Sequence, residues 1–144
     1  TPRPQAPYGY EARLVDLAAW ADFLVVACVG GPATRHLVDA AVIHALGPQG
    51  ILVNIARGSV VDQAAALAAL RAGELGGAGL DVLEREPTPA TEFADLDQVS
   101  LMPHVGSATH ETRAAMAQLV LDNVAAFMDS GKLLTPVAAR EWQS

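Results

Sequence analysis

The chain has 144 residues, of which 51% are apolar and 17% charged, a composition typical of about one globular domain. It carries 9 basic and 16 acidic side chains, and the resulting net charge of −7 argues against a nucleic-acid or anionic-membrane partner. The single cysteine, Cys28, excludes an internal disulfide framework and a CxxC metal site, so we expect no metal and a reducing, cytoplasmic compartment.

Short apolar runs alternate with segments of helical spacing along the chain. Four segments have apolar residues three or four apart and are predicted helices: 11–21, 33–46, 62–73 and about 109–129. Four short continuous apolar runs are predicted strands: 22–28, 51–56, 77–83 and 98–103. Asp62 is a plausible N-cap of the third helix and Gly73 lies just past its end. This alternation predicts an α/β, doubly wound parallel sheet.

Polar residues follow each predicted strand, where ligands bind in doubly wound sheets. In chain order these strand-end residues are Cys28, Val29, Gly30, Gly31 and Thr34; Arg57 and Gly58; Asp81, Glu84 and Glu86; and His104, Gly106, Ser107 and Thr109. Each has an ordinary structural explanation when taken alone, and Arg57 could simply pair with one of the acids. Four successive strands that each bring polar groups to one edge nevertheless predict a ligand site there.

These residue types suit the reduction of a 2-keto acid. The guanidinium of Arg57 can bind both carboxylate oxygens of such a substrate and so align its ketone. His104 can protonate the developing alkoxide, and a nearby glutamate would orient its ring and favour its protonated form. The sequence contains no hydride donor, so a nicotinamide cofactor is required.

Three motifs carry a resemblance to a known family. "NIARGSVVDQAAALAAL", "GAGLDVLEREP" and "LMPHVGSATHETRAAM" occur in that order. They resemble the Asn-x-x-Arg-Gly-x-x-x-Asp, Gly-Leu-Asp-Val-x-x-x-Glu-Pro and Pro-His-x-Gly-Ser-Ala-Thr segments of the D-isomer-specific 2-hydroxyacid dehydrogenases. The resemblance covers residues 11–137 and is strongest to the glyoxylate/hydroxypyruvate reductases, a branch that includes 2-ketogluconate reductases.

The resemblance implies catalytic roles for three residues. Arg57 would anchor the substrate carboxylate, His104 would be the acid/base, and Glu86, immediately before Pro87, would be the partner of His104. Glu84 matches a nearby acidic position that is not the catalytic one. The implied reaction reduces a 2-keto acid to the D-2-hydroxy acid with NAD(P)H.

The resemblance also implies a set of cofactor-binding residues. Asp81 would hold the nicotinamide carboxamide or its ribose, and Cys28 and Val29 would border the adenosine. Thr34 would lie by the cofactor, and the pocket for the nicotinamide would be lined by Ile55, Ala56 and Gly106. Many members have proline where this chain has Val29. Thr1-Pro2-Arg3 matches part of an arginine-containing run that binds the 2′-phosphate, so Arg3 favours NADP over NAD.

The family's Gly-x-Gly-x-x-Gly turn does not occur in this sequence, because "GELGGAGL" precedes a strand instead of opening a helix. We therefore interpret residues 1–137 as the C-terminal portion of a Rossmann-type NAD(P)-binding domain that lacks its first two strands. Residues 138–144 would be a tail, and the family's substrate domain is not present. The usual strand order 3-2-1-4-5-6 predicts that the two missing strands lie between strands 22–28 and 51–56.

Two other functions stay open at this point. The first is a non-catalytic dinucleotide sensor of corepressor type, which shares this fold. The second is an interaction fragment with no activity, which the missing glycine turn favours. For the full-length enzyme, the family resemblance implies a homodimer.

Overall fold

The computed structural model describes residues 7–87 and 90–137, and the chain divides after Pro103 into two compact units. The first unit contains three helices, α1 Leu14–Trp20, α2 Ala40–Leu46 and α3 Gln63–Ala72. It also contains four strands, β1 Phe23–Val26, β2 Ile51–Asn54, β3 Gly77–Leu80 and β4 Val99–Leu101. Short 3₁₀ turns cover Pro32–Thr34, Gly58–Val60 and Ala90–Phe93. The second unit contains α4, His110–Ser130.

The four strands form one parallel sheet in the order β1-β2-β3-β4. This arrangement confirms the predicted α/β class with a parallel, Rossmann-type sheet. The predicted gap between the first two strands is wrong, because β1 and β2 pair directly, with Phe23 opposite Ile51 and Val26 opposite Asn54. The gap rested on numbering β1 as the third strand of the usual order, and apolar patterns do not encode which strands become neighbours.

The helices α2 and α3, which connect the first three strands, pack on one face of the sheet. Each next strand is added on the same side of the previous one, and right-handed crossovers then place every connecting helix on the same face. Leu24 and Leu52, which are paired in the sheet, are buried in one cluster with Ile43 of α2 and Leu70 of α3. On the other face, Phe23 is 66% exposed.

The helix predicted over 33–46 is wrong in its first half. Residues 32–34 form a 3₁₀ turn, and the helix begins only at Ala40. Val38 pairs instead with the segment after β2, donating its N–H to Val60 O at 3.0 Å. Asp39 then caps α2 by accepting a 3.0 Å hydrogen bond from Val42 N. The tertiary pairing at Val38 and the cap at Asp39 together override the helical spacing of the apolar residues.

The boundaries of α3 follow the predicted capping residues. Asp62 accepts a 3.0 Å hydrogen bond from Ala65 N at the start of α3, and Gly73 ends that helix with φ of 70°. Gly73 therefore adopts the left-handed conformation that glycine tolerates best, as the sequence predicts. In the second unit, Thr109 caps α4 by accepting from Thr112 N at 3.1 Å.

The second unit carries a long helix with an exposed apolar surface. No residue of α4 is buried, and Met128 is 81% exposed. The coil after α4 returns to the helix, where Asn123 Oδ1 accepts from Thr135 N at 3.1 Å. Among residues 7–87 and 90–137, none of the helices has the length and apolar character that crossing a bilayer requires.

Candidate active site

The carboxyl ends of the parallel strands bring the predicted site residues of the first unit to one edge. Asn54 at the end of β2 pairs with Leu80 at the end of β3 and with Val26 at the end of β1. The segments that begin at Ala27, Ile55 and Asp81 therefore leave the sheet side by side. The predicted convergence of Cys28, Arg57 and the acidic loop on one edge is consistent with this geometry.

Asn54 braces the turn that presents Arg57. Its side chain is 1% exposed and makes two hydrogen bonds to the backbone of the turn. Asn54 Oδ1 accepts from Ala56 N at 3.0 Å, and Asn54 Nδ2 donates to Arg57 O at 3.1 Å. A buried amide with both polar ends paired fixes a loop strongly, because either end would be costly to leave unpaired. The sequence reasoning did not assign this role, although a polar residue ending the apolar run "ILVN" is a visible signal.

Replacing Asn54 by Ala is expected to lower the free energy of unfolding by about 1–3 kcal/mol, because the buried N–H of Ala56 loses its partner, while Arg57 O keeps its 3.1 Å hydrogen bond from Val60 N. Urea unfolding of the 144-residue chain measures this loss. Gln49→Ala is the control, since Gln49 is exposed on the turn before β2 and should change stability by less than about 0.5 kcal/mol. Equal stabilities for Asn54→Ala and the parent chain would contradict the bracing role.

Gly30 accommodates the side chain of Arg57. A Cβ built on Gly30 would lie 2.5 Å from Arg57 Cγ and 2.9 Å from Arg57 Cβ. Any side chain at this position would therefore push the arginine stem out of place. The glycine after β1 serves a close approach by Arg57, in addition to whatever room it leaves for a ligand.

Arg57 is an exposed residue, and its guanidinium pairs with no carboxylate of the described first unit. Its Nη1 donates to the carbonyl of Ala56 at 2.7 Å. The ion pairs within the described part of the first unit involve Arg13, Arg35, His36 and Arg71 and leave Arg57 out. The structural alternative, in which Arg57 serves only to neutralise a neighbouring acid of this unit, is therefore not observed. A fixed cation with this surrounding can bind an anion.

Glu84 belongs to a cluster that ties together the loops after β1, β2 and β3. His36 Nε2 donates to Glu84 Oε1 at 2.8 Å, and Arg35 Nη2 donates to the same oxygen at 2.9 Å. Asp62 Oδ2 lies 3.8 Å from His36 Nδ1. The hydrogen bond from His36 and the charges of His36 and Arg35 hold the pKa of Glu84 below its usual value, although burial acts the other way. The sequence reasoning missed His36, which has no motif to mark it.

Glu86 and Asp81 lie on the loop that follows β3. Glu86 Oε1 accepts a hydrogen bond from Leu83 N at 2.8 Å, which holds the carboxylate against its own loop. Asp81 is buried and donates its N–H to Asn54 O at 3.0 Å. Both residues make further interactions. Glu86 and Asp81 are therefore fixed next to the turn that carries Arg57.

His104 and Gly106 belong to the second unit. His104 is its first residue and has φ of 55°, a left-handed conformation that is uncommon outside glycine. His104 is an exposed residue and has an interaction partner. Glu86 lies in the first unit, so its pairing with His104 stays a prediction.

The remaining predicted cofactor residues occupy the loops after β1 and β2. Cys28 and Val29 are exposed, and Val29 is 86% so. The hydroxyl of Thr34 donates to Val29 O at 2.9 Å and also lies 3.2 Å from Gly31 O, so Thr34 closes this loop. Ile55 is 55% exposed and Ala56 is buried.

One predicted cofactor residue has no place in the described structure. Arg3, the predicted NADP-binding arginine, lies outside the described residues. The choice between NADP and NAD therefore rests on the sequence at this position.

A family model matches residues 2–106 of the chain, which is most of its length. Its description is "D-isomer specific 2-hydroxyacid dehydrogenase, NAD binding domain". The match includes the strand-end loops with Arg57 and Asp81, and it reaches His104 and Gly106 of the second unit.

Curated relatives and solved structures are similar to almost the whole chain. Hydroxyphenylpyruvate reductase of Plectranthus scutellarioides is 50% identical over 94% of this chain and 43% of its own length. Glyoxylate/hydroxypyruvate reductase A of Arabidopsis thaliana is 50% identical over 95% of this chain and 44% of its own length. A crystal structure of NADPH-dependent glyoxylate/hydroxypyruvate reductase from Sinorhizobium meliloti, with NADP and malonate, has a TM-score of 0.91 and 46% identity. It is matched over 96% of this chain and 43% of its own length, so the chain spans less than half of these relatives.

Proposed function

Because the chain belongs to the D-isomer-specific 2-hydroxyacid dehydrogenase family, we propose that it forms part of an enzyme that reduces a small 2-keto acid to the D-2-hydroxy acid. Glyoxylate and hydroxypyruvate are the proposed substrates. The single observation that carries this proposal is Arg57. It is held at the ligand edge by Asn54 and Gly30 and pairs with no carboxylate of the described first unit.

Arg57 would bind the substrate carboxylate, and His104 would supply the proton. Two parallel N–H donors of the guanidinium match the two oxygens of a carboxylate and fix the direction of the adjacent ketone. His104 would donate a proton to the ketone oxygen as negative charge develops on it. Glu86 would keep the imidazole oriented and favour its protonated form. These roles match the polar groups that the family motifs place in this chain.

The residues after β2 and β3 fit the nicotinamide end of NADP or NAD. Ile55 and Asp81 follow the paired residues Asn54 and Leu80, so they are neighbours at the strand ends. An exposed apolar side chain beside a fixed carboxylate suits a flat ring with an amide or ribose substituent. When bound, the nicotinamide would supply the hydride that protein side chains cannot provide. Arg3 and the NADP in the Sinorhizobium meliloti reductase support NADP over NAD.

We also propose that Cys28 and Val29 border the adenosine and that Thr34 and Gly106 lie by the cofactor. The exposure of Cys28 and Val29 at the end of β1 is compatible with such contacts. The working form would be a cytoplasmic homodimer, because the family is usually dimeric and the single cysteine suits a reducing compartment.

A hybrid reductase tests the proposed function. In this hybrid, the present chain replaces the matching segment of the Sinorhizobium meliloti reductase, with which it shares 46% identity. We expect a folded hybrid to oxidise NADPH when glyoxylate or hydroxypyruvate is added. A folded hybrid that binds NADPH but reduces neither acid would contradict the proposal and favour a dinucleotide sensor.

The purified 144-residue chain alone is expected to show no NADPH oxidation with glyoxylate and no tight NADP binding. Its sequence contains no Gly-x-Gly-x-x-Gly turn to hold the pyrophosphate at a helix N-terminus. Absorbance at the NADPH band and cofactor titration by fluorescence measure the two properties, with the hybrid as positive control. Steady turnover by the isolated chain would refute this expectation.

A further inference from the structure

A single histidine–glutamate contact joins loops that are 48 positions apart in the sequence. His36, on the loop after β1, donates to Glu84 on the loop after β3 at 2.8 Å. Both side chains are largely shielded, with 33% and 26% of their surfaces exposed. Neither residue has a catalytic or cofactor role in the proposed reaction.

His36 is also tied to the segment that follows Arg57. The backbone N–H of His36 donates to Ser59 O at 2.8 Å, and the nearby Val38 donates its N–H to Val60 O and forms a β-bridge with Val61. On the other side of the contact, Glu84 N donates to Gln63 Oε1 at 3.0 Å. His36 thus lies between the segment after Arg57 and the loop that carries Glu84.

A displacement of Glu84 would also displace Arg57 and Glu86. Gly58, directly after Arg57, is so close to Leu83 and Glu84 that a Cβ on it would lie 1.9 Å from Leu83 O. Glu86 accepts from Leu83 N at 2.8 Å. Because these atoms are in contact, a shift of the backbone at 83–84 must also shift the turn after Arg57 and the carboxylate of Glu86.

We propose that His36 and Glu84 form a latch that positions Arg57 and Glu86 for keto-acid reduction, an inference that rests on the proposed function. Both are positioning residues, because they act through the loops and not on the substrate. Arg35 reinforces the latch by a 2.9 Å hydrogen bond to Glu84 Oε1. Asp62, at the start of α3, adds a second carboxylate 3.8 Å from His36 Nδ1.

The latch depends on pH through the Glu84 carboxylate. The other polar groups around it are Arg35, Asp62 and Gln63, whose Nε2 donates to Glu92 at 3.0 Å. Since the pKa of Glu84 in the folded chain lies below the ordinary value of a glutamate, its stabilisation is fully present above that ordinary value. It is lost as the pH falls through the lower folded-state pKa.

The first test is hydrogen exchange on the 144-residue chain with Glu84→Gln, which removes the charge and keeps the shape. We expect the amides of His36, Asp62 and Glu84 to exchange roughly ten-fold faster, with the amides of β2 and β3 unchanged. Asp95→Asn is the matched control, because it breaks an exposed ion pair with Arg71 at 3.2 Å. It should leave these three amides unchanged. Unchanged exchange in Glu84→Gln, or equal acceleration throughout the sheet, would overturn the latch.

The second test is kinetic and separates the latch from the proposed function. In the hybrid reductase, Glu84→Gln should raise KM for glyoxylate roughly ten-fold through Arg57, and it should also lower kcat through Glu86, the proposed partner of His104. His36→Gln, which keeps an N–H donor, should restore part of the loss seen in His36→Leu. If the folded parent hybrid reduces neither keto acid, the proposed function itself is refuted. If the parent hybrid is active and Glu84→Gln leaves KM unchanged, only the latch is refuted.

A pH series provides the readout that simple loss of packing would not give. The stability difference between the parent chain and Glu84→Gln should shrink as the pH falls from about 5 towards 3, because the parent carboxylate becomes protonated there. Thermal unfolding measures the difference at each pH. A difference that stays constant over this range would show that the effect does not come from the charged latch and would overturn it.

Discussion

Replacing Arg57 by Ala in the hybrid reductase is expected to lower kcat/KM for glyoxylate by roughly 30- to 5,000-fold. Truncating one partner of a shielded, hydrogen-bonded charge pair costs about 2–5 kcal/mol, and each 1.36 kcal/mol is a factor of ten. Most of the loss should be in KM, because the guanidinium holds the carboxylate before and during the reaction. Steady-state NADPH oxidation over a range of glyoxylate concentrations measures it.

Two variants control for charge and for general damage. Arg57→Lys keeps the charge without the forked donors and should recover only part of the activity. Arg71 is an exposed arginine in the last turn of α3, where it pairs with Asp95. Arg71→Ala should therefore leave kcat/KM within about two-fold of the parent value. Full activity in Arg57→Ala would refute the anchor role.

Replacing Gly58 by Ala is expected to lower the free energy of unfolding by about 3–5 kcal/mol, the largest stability effect that we predict. The added Cβ would lie 1.9 Å from Leu83 O, 2.0 Å from Leu83 C and 2.4 Å from Glu84 N. These are backbone atoms, which cannot rotate away as the end of a flexible side chain can. Urea unfolding of the 144-residue chain measures the change.

The matched control for this substitution is Gly9→Ala. A Cβ on Gly9 meets no atom within 4 Å, so stability should change by less than about 0.5 kcal/mol. If Gly58→Ala were as stable as Gly9→Ala, the close packing of the turn after Arg57 against the loop after β3 would be refuted.

The sequence predicted features that depend on local chemistry. Asp62 caps α3 and Gly73 ends it because short polar side chains and glycine satisfy helix ends wherever they occur. Arg57 lies just beyond β2, because the chain leaves the buried sheet where the apolar run gives way to polar residues. Such patterns span only a few residues and are visible without tertiary information.

The features that the sequence did not predict depend on contacts between distant segments. The helix expected over 33–46 starts late because Val38 donates its N–H to the carbonyl of Val60, 22 positions later. His36 contacts Glu84 across 48 positions, and no spacing rule connects them. The prediction that two missing strands separate β1 from β2 was wrong for the same reason, since tertiary packing determines which strands become neighbours.

The most direct test of the account asks whether Arg57 acts on the carboxylate of the substrate. The measurement is kcat/KM of the hybrid reductase and its Arg57→Ala variant, each with glyoxylate and with its neutral methyl ester. We expect the substitution to cost at least roughly 30-fold with glyoxylate and less than about three-fold with the ester, because the ester offers the guanidinium no negative charge. An equal loss with both substrates would contradict the central claim that Arg57 anchors a 2-keto acid by its carboxylate.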